Sequence, residues 1–290
     1  MAATNTAIDI ASLFEAEIHV VHVADLPELP PGIAEEFEGE LVATSNRIVE
    51  QGSDLSADAG VPTQRAVLAS GDPIHEVLIH YATEHDIDGI VMGTTGRTGL
   101  RRVALGSVAE RTIRTAPIPV ITVRPDSTPD TVFDSILVPT DGSSGATAAL
   151  NHGLDLAKKT TAEIHLLHVV TVGAMGIEDG AALVYDALEE VGKQAIERAR
   201  EQAIDADVGT VEASIVSGQI HRAITRYATE HGIDTIVMGT HGRSGLNRLW
   251  IGSVTQRVIR HSPVPVVSVK PPAALEELSG FDPSYAKLAE

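Results

Sequence analysis

Residues Tyr81 to Val123 read YATEHDIDGIVMGTTGRTGLRRVALGSVAERTIRTAPIPVITV, and residues Tyr227 to Val269 read YATEHGIDTIVMGTHGRSGLNRLWIGSVTQRVIRHSPVPVVSV. They match at a constant offset of 146 residues, the step from Tyr81 to Tyr227. Upstream, Ala16 to Val23 (AEIHVVHV) matches Ala162 to Val169 (AEIHLLHV) at the same offset. Stacking repeats have periods of about 20–50 residues, so a repeat this long is a whole domain copied in tandem. The 290 residues leave room for two ordinary domains. Expected limits are 1–125 for the first copy, 126–134 for a Pro-, Asp- and Thr-rich linker, 135–271 for the second copy and 272–290 for a tail.

Within the second copy, apolar runs alternate with amphipathic stretches. Ile136 to Val138, EIHLLHV, VEASIVSG, TIVMG and PVPVVSV read as strands; the segments between them read as helices. Aromatic residues are only 3% of the chain, so Val, Ile, Leu and Ala must build the core. Strands of that composition suit a parallel sheet with helices on both faces and right-handed crossovers. Pro263 and Pro265 place the last strand at a sheet edge, because proline donates no ladder bond. An edge of valines needs a partner, and PIPVITV in the first copy is the expected one.

The first copy is shorter at its start. Met1 falls opposite Thr147, so SILVPTDGSSGA has no counterpart and the first strand is missing. In an open sheet with a switch point that strand is central. Its loss is expected to leave two neighbours without partners and one side of the pocket open. The recorded start is expected to lie downstream of the real one, which an in-frame extension resembling ILVPTDGS would show.

The chemistry concentrates in Gly-x-x-Gly, nine residues, then Gly-Ser. The second copy has Gly239-Thr240-His241-Gly242 and Gly252-Ser253; the first has Gly93-Thr94-Thr95-Gly96 and Gly106-Ser107. Glycines let backbone amides approach an anion. A helix opening at the final serine directs its free N–H groups and positive dipole end to the same place. Arg243, Arg248, Arg97, Arg101 and Arg102 add positive charge near these loops, and Asp141 stands where a ribose or base edge would need an acceptor.

These residues resemble the universal stress protein family, as a tandem of two such domains spanning nearly the whole chain. The resemblance implies an α/β fold of two open parallel five-stranded sheets in order 3-2-1-4-5, Rossmann-like and adenine-nucleotide α-hydrolase-like. The family's nucleotide-binding members hold ATP in this loop. Carried over by position, Pro139 and Asp141 lie by the base and ribose, and Val169 and Met238 line the adenine. Gly239, Thr240, Gly242, Gly252, Ser253, Val254 and Thr255 hold the ribose and phosphates. The first copy matches at Val23, Met92, Gly93, Gly96, Gly106, Ser107 and Val108 and lacks the Pro and Asp equivalents. The implied ligand is ATP, or ADP or AMP, with Mg²⁺ accompanying the phosphates.

Composition excludes other classes. There is no cysteine, hence no disulfide or thiol chemistry. A formal charge of −19 repels nucleic acid and anionic membranes. It also fits adaptation to a salt-rich cytoplasm, where screening relieves self-repulsion. The N-terminus does not read as a secretory signal, and a cytoplasmic location is expected. No GxxxxGK[ST] loop is present. His75, His80 and His85 fall on different helix faces, and His165 and His168 point to opposite sides of a strand, so no metal site is expected. Trp250 is expected to be buried. The favoured reading is a nucleotide-binding stress sensor with no assigned catalytic residue, working as an internal pair or a homo-oligomer. A slow ATPase and a non-binding dimeric scaffold are the alternatives.

Overall fold

Strands and helices alternate along the chain as the apolar runs require. The computed structural model describes residues 1–25, 31–95, 105–127, 131–171, 181–242 and 251–271. In the first copy these residues form α1 (Ala2–Phe14), β1 (Ile18–Asp25), α2 (Pro31–Asp58), β2 (Thr63–Ser70), α3 (Ile74–Glu84), β3 (Ile90–Gly93), α4 (Ser107–Thr115) and β4 (Val120–Val123). The second copy contains β5 (Ser135–Pro139), α5 (Ser144–Thr160), β6 (Glu163–Val170), α6 (Ala181–Asp205), β7 (Val211–Ser217), α7 (Ile220–Glu230), β8 (Thr235–Gly239), α8 (Ser253–His261) and β9 (Val266–Val269). The tail at 272–290 lies outside the described residues.

The second copy has the strand order β7-β6-β5-β8-β9, all parallel. This is the 3-2-1-4-5 order, with β5 in the centre. Ile136, Leu137 and Val138 are each 0% exposed. Ile136 and Val138 join the cluster under α5 and α6, while Leu137 joins the one under α7 and α8. Successive strand residues face opposite layers, so three apolar residues in a row are what a doubly covered strand needs.

Asp234 fixes how the chain enters β5. Its carboxylate accepts from the backbone N–H of Phe133 (3.0 Å), Asp134 (2.8 Å) and Ser135 (3.0 Å), and from the Thr131 hydroxyl (3.2 Å). Burial pushes this carboxyl upward from its ordinary pKa, against the hydrogen bonds that pull it down. At the other end of β5, Ser143 caps α5 by accepting from the Ala146 N–H at 3.3 Å.

The sheets of the two copies join edge to edge through their last strands. β4 pairs antiparallel with β9, with Val120 opposite Ser268, Ile121 opposite Val267 and Thr122 opposite Val266. The copies therefore share one seven-stranded sheet, β3-β4-β9-β8-β5-β6-β7. Arg124 and Ser127 extend the junction by donating to the carbonyls of Ser262 (3.3 Å) and Pro263 (2.9 Å). Phe14 of α1 meets Phe133 edge-on at 6.0 Å, and Ile121, Val123, Val237 and Val267 fall in one apolar cluster. The described strands of the first copy fall in two sheets. β1 and β2 form a separate two-stranded sheet, and β3 and β4 belong to the seven-stranded one.

Candidate functional site

The end of β5, the start of α5, the end of β8 and the start of α8 converge in the second copy. Two glycines let them do so. A Cβ on Gly239 would collide with the Gly145 backbone, and a Cβ on Gly145 would overlap the His241 carbonyl. The mouth of β8 is thus pressed onto the first turn of α5. Asp141 lies beside the loop: a Cβ on Gly242 would stand 2.9 Å from its Oδ2, and its Oδ1 accepts from the Ser143 N–H at 2.9 Å. On the far side, His168 Nδ1 donates to the Thr140 carbonyl at 2.8 Å and holds the β5 exit in place.

The loop glycines do not all act as expected from sequence. The Gly252 N–H donates to the Thr240 carbonyl at 2.7 Å, so this amide is not offered to an anion. A Cβ there would press on the same carbonyl at 3.2 Å. Gly106 repeats the bond in the first copy, donating to Thr94 O at 2.8 Å. Thr255 spends its hydroxyl on the Gly239 carbonyl at 2.8 Å, and the buried Thr240 hydroxyl pairs with His241 Nδ1 at 2.9 Å. These contacts tie the end of β8 to the start of α8.

What faces outward is the first turn of α8. Its first intrahelical bond runs from the Gln256 N–H to the Gly252 carbonyl at 3.0 Å. The N–H groups of Ser253, Val254 and Thr255 therefore have no acceptor within the helix. Ser253 is exposed, and the N-cap residue, Gly252, has no side chain to cap the turn. The helix dipole adds positive potential at this point. Val169 and Val254, both half-buried, lie against the apolar cluster that contains Met238. Met238 itself is only 5% exposed and belongs to the core under α7 and α8. Pro139 is half-buried at the last position of β5.

The first copy offers a different pocket at the equivalent place. Ser107 and Val108 line a cleft of about 300 Å³ together with Asp25, Asp72, His75 and Arg111. Burial lowers the His75 pKa; Glu76 opposes this, and Arg111 and Arg114 reinforce it. Two carboxylates in this cleft repel an anion. The second copy has Thr171 where the first has Asp25, and its SGQIH omits the aspartate of SGDPIH. Val23 is buried, Met92 is half-buried and Gly93 is exposed. Gly96, Arg97, Arg101, Arg102, Arg243, Arg248 and Trp250 lie outside the described residues.

Sequence reasoning missed Gly145, Asp234 and one side-chain cluster. Glu163, His165 and Glu212 bring one possible metal-ligand atom each within 4.8 Å of one another. Spacing along the chain conceals this, because Glu212 comes from β7 and faces His165 by register. His165 Nδ1 is also 3.1 Å from the Tyr227 hydroxyl, inside a ring stack in which Tyr227 and His231 are 3.7 Å apart. The first copy repeats the arrangement with Glu17, His19, Tyr81 and His85, where Gln64 replaces Glu212 and donates to Glu17 at 3.1 Å. Among the described residues, no helix is long and apolar enough to cross a membrane.

Comparisons with known proteins agree with this architecture. The model of the Universal stress protein family matches residues 1–124 and again 133–270. A universal stress protein of Methanocaldococcus jannaschii is 32% identical over 146 residues, covering 49% of this chain and 85% of the relative. One from Mycobacterium tuberculosis is 26% identical over 273 residues, covering 89% of this chain and 88% of the relative. Among solved structures, a universal stress protein from Archaeoglobus fulgidus superposes with a TM-score of 0.69 at 28% identity, covering 93% of this chain and 92% of that one. With the family model matching both halves and a relative aligned over 88% of its length, the chain belongs to the universal stress protein family, as two of its domains in tandem.

Proposed function

We propose that the second copy binds an adenine nucleotide, ATP or its di- or monophosphate, and that occupancy is the signal the protein passes on in a stress response. The observation that carries this reading is the open first turn of α8. Three amides without intrahelical acceptors and one exposed hydroxyl converge beside the end of β5. Phosphate oxygens accept from the N–H groups of Ser253, Val254 and Thr255 and from the Ser253 hydroxyl. The ribose sits by Asp141 and the base by Pro139 and Val169. A divalent cation such as Mg²⁺ accompanies the phosphates, with Asp141 the carboxylate nearest the loop. Gly239, Thr240 and Gly252 act indirectly, by tying the end of β8 to the start of α8 so that this turn is presented.

Purified protein is denatured and the released nucleotide identified; in parallel, ATP is titrated calorimetrically into nucleotide-free protein. Released adenine nucleotide, or saturable binding of one ATP, is expected. Ser253→Asp weakens ATP binding more than tenfold, because it sets a negative charge where the phosphates belong. The melting temperature holds, because an acidic residue suits a helix start. No released nucleotide, no heat and no thermal shift with ATP contradict the proposal. The charge of −19 carries a separate expectation, that molar KCl raises the melting temperature.

A further inference from the structure

At the start of β6 and β7 the second copy gathers side chains that the nucleotide reading does not use. Glu163 opens β6, His165 follows two residues later on the same face, and Glu212 stands opposite His165 in the β6–β7 ladder. One ligand atom from each of the three lies within 4.8 Å of the other two. His165 Nδ1 is 3.5 Å from Glu212 Oε2, and its Nε2 is 3.9 Å from Glu163 Oε1. The strands are parallel, so this group lies at the opposite end of the sheet from the exits of β5 and β8.

The chemistry suits a cation. The His165 side chain is only 5% exposed, and its ring is held in place: Nδ1 is 3.1 Å from the Tyr227 hydroxyl, which itself lies 3.3 Å from Ser214 Oγ. The side chains of Glu163 and Glu212 are 38% and 53% exposed, so they can swing onto an ion while water completes its shell. Among the described residues, neither carboxylate pairs with a lysine or arginine. Ligands on one tetrahedral zinc ion lie about 3.3–3.6 Å apart, from bonds of about 2.0–2.2 Å. Rotation of the two glutamate side chains is enough to reach that spacing.

We propose that Glu163, His165 and Glu212 bind one divalent transition-metal ion, with Zn²⁺ as its representative, and that the ion clamps β6 to β7 whether or not nucleotide is bound. An imidazole among carboxylates favours such an ion over Mg²⁺. The first copy keeps two of the three ligands. His19 Nε2 is 3.6 Å from Glu17 Oε2, and His19 Nδ1 is 2.9 Å from the Tyr81 hydroxyl. Opposite His19 stands Gln64, whose amide donates to Glu17 at 3.1 Å. A neutral amide there removes one ligand and occupies another, so the first copy does not hold the ion.

The metal-free full chain, without nucleotide, is titrated calorimetrically with Zn²⁺, and its melting temperature is followed in parallel. The expected result is one Zn²⁺ per chain, not displaced by millimolar Mg²⁺, with a higher melting temperature in its presence. Glu212→Gln, which copies Gln64, weakens Zn²⁺ binding at least tenfold and leaves the melting temperature of the metal-free protein unchanged. Gln64→Glu raises the count to two. Absence of Zn²⁺ binding overturns the proposal. So does an unaltered affinity in Glu212→Gln, displacement of Zn²⁺ by Mg²⁺, or a count that stays at one in Gln64→Glu.

Discussion

β1 and β6 differ at only two positions of a six-residue run, Val20 and Val21 against Leu166 and Leu167, yet β6 is buried and β1 half-buried. β3 and β8 share IVMG, and again one is covered and the other is not. Burial here belongs to the neighbour and not to the strand. The difference is confined to the two strands that flank β5 in the second copy and their counterparts, since β2 and β7 have matching burial, as do β4 and β9. The contrast extends to the sites. The second copy has Thr171, just after β6, where the first has Asp25, and the cleft at the helix start of the first copy contains Asp25 and Asp72.

This difference can be broken from either side. Leu137→Ala empties a fully buried position of the central strand and should cost about 3 kcal/mol in urea unfolding. Val21→Ala in half-buried β1 should cost about 1 kcal/mol or less. Equal losses would mean that the first copy is as well packed as the second. Next in size, Asp234→Ala removes the acceptor shared by three backbone amides, the Phe133 amide among them buried, and should cost about 1–2 kcal/mol, against less than about 0.5 kcal/mol for its exposed counterpart, Asp88→Ala.

A smaller effect separates Arg124 from its counterpart Lys270 at the junction of the copies. Arg124 donates to the Ser262 carbonyl, whereas the buried Lys270 amine has no hydrogen-bond partner among the described residues. Burial, with Arg114 adding to it, lowers the Lys270 pKa to about 8 from 10.5. Between those values the unfolded chain holds more protons, so stability rises with pH. The melting temperature of the wild type should therefore gain on that of Lys270→Met from pH 8 to 10.5, with Lys270→Met the more stable at pH 7. A constant difference across that range would place the amine in water.

Much of the fold was legible because it follows from pattern. The alternation of apolar runs and helices, the offset of 146 residues and the prolines before β9 lead to the tandem architecture and to an edge strand in need of a partner. The merged seven-stranded sheet follows from where that partner lies. The site was legible as a place and not residue by residue. Gly239 and Gly252 look alike in sequence whether a glycine admits a ligand or the protein's own backbone, and here both admit the backbone. Gly145 hid inside a helix, and Asp234 lies about one hundred residues from the amides it holds. The N–H groups of Ser253, Val254 and Thr255 precede the first intrahelical bond of α8 and have no acceptor within that helix.

The most direct test compares the two helix starts in one titration series. ATP binding is measured calorimetrically for the wild type, Ser253→Asp and Ser107→Asp, two exposed serines at the same position of α8 and α4. Loss of more than tenfold in affinity in Ser253→Asp, with Ser107→Asp close to the wild type, is the predicted result. Unchanged affinity in Ser253→Asp, or loss confined to Ser107→Asp, would contradict it.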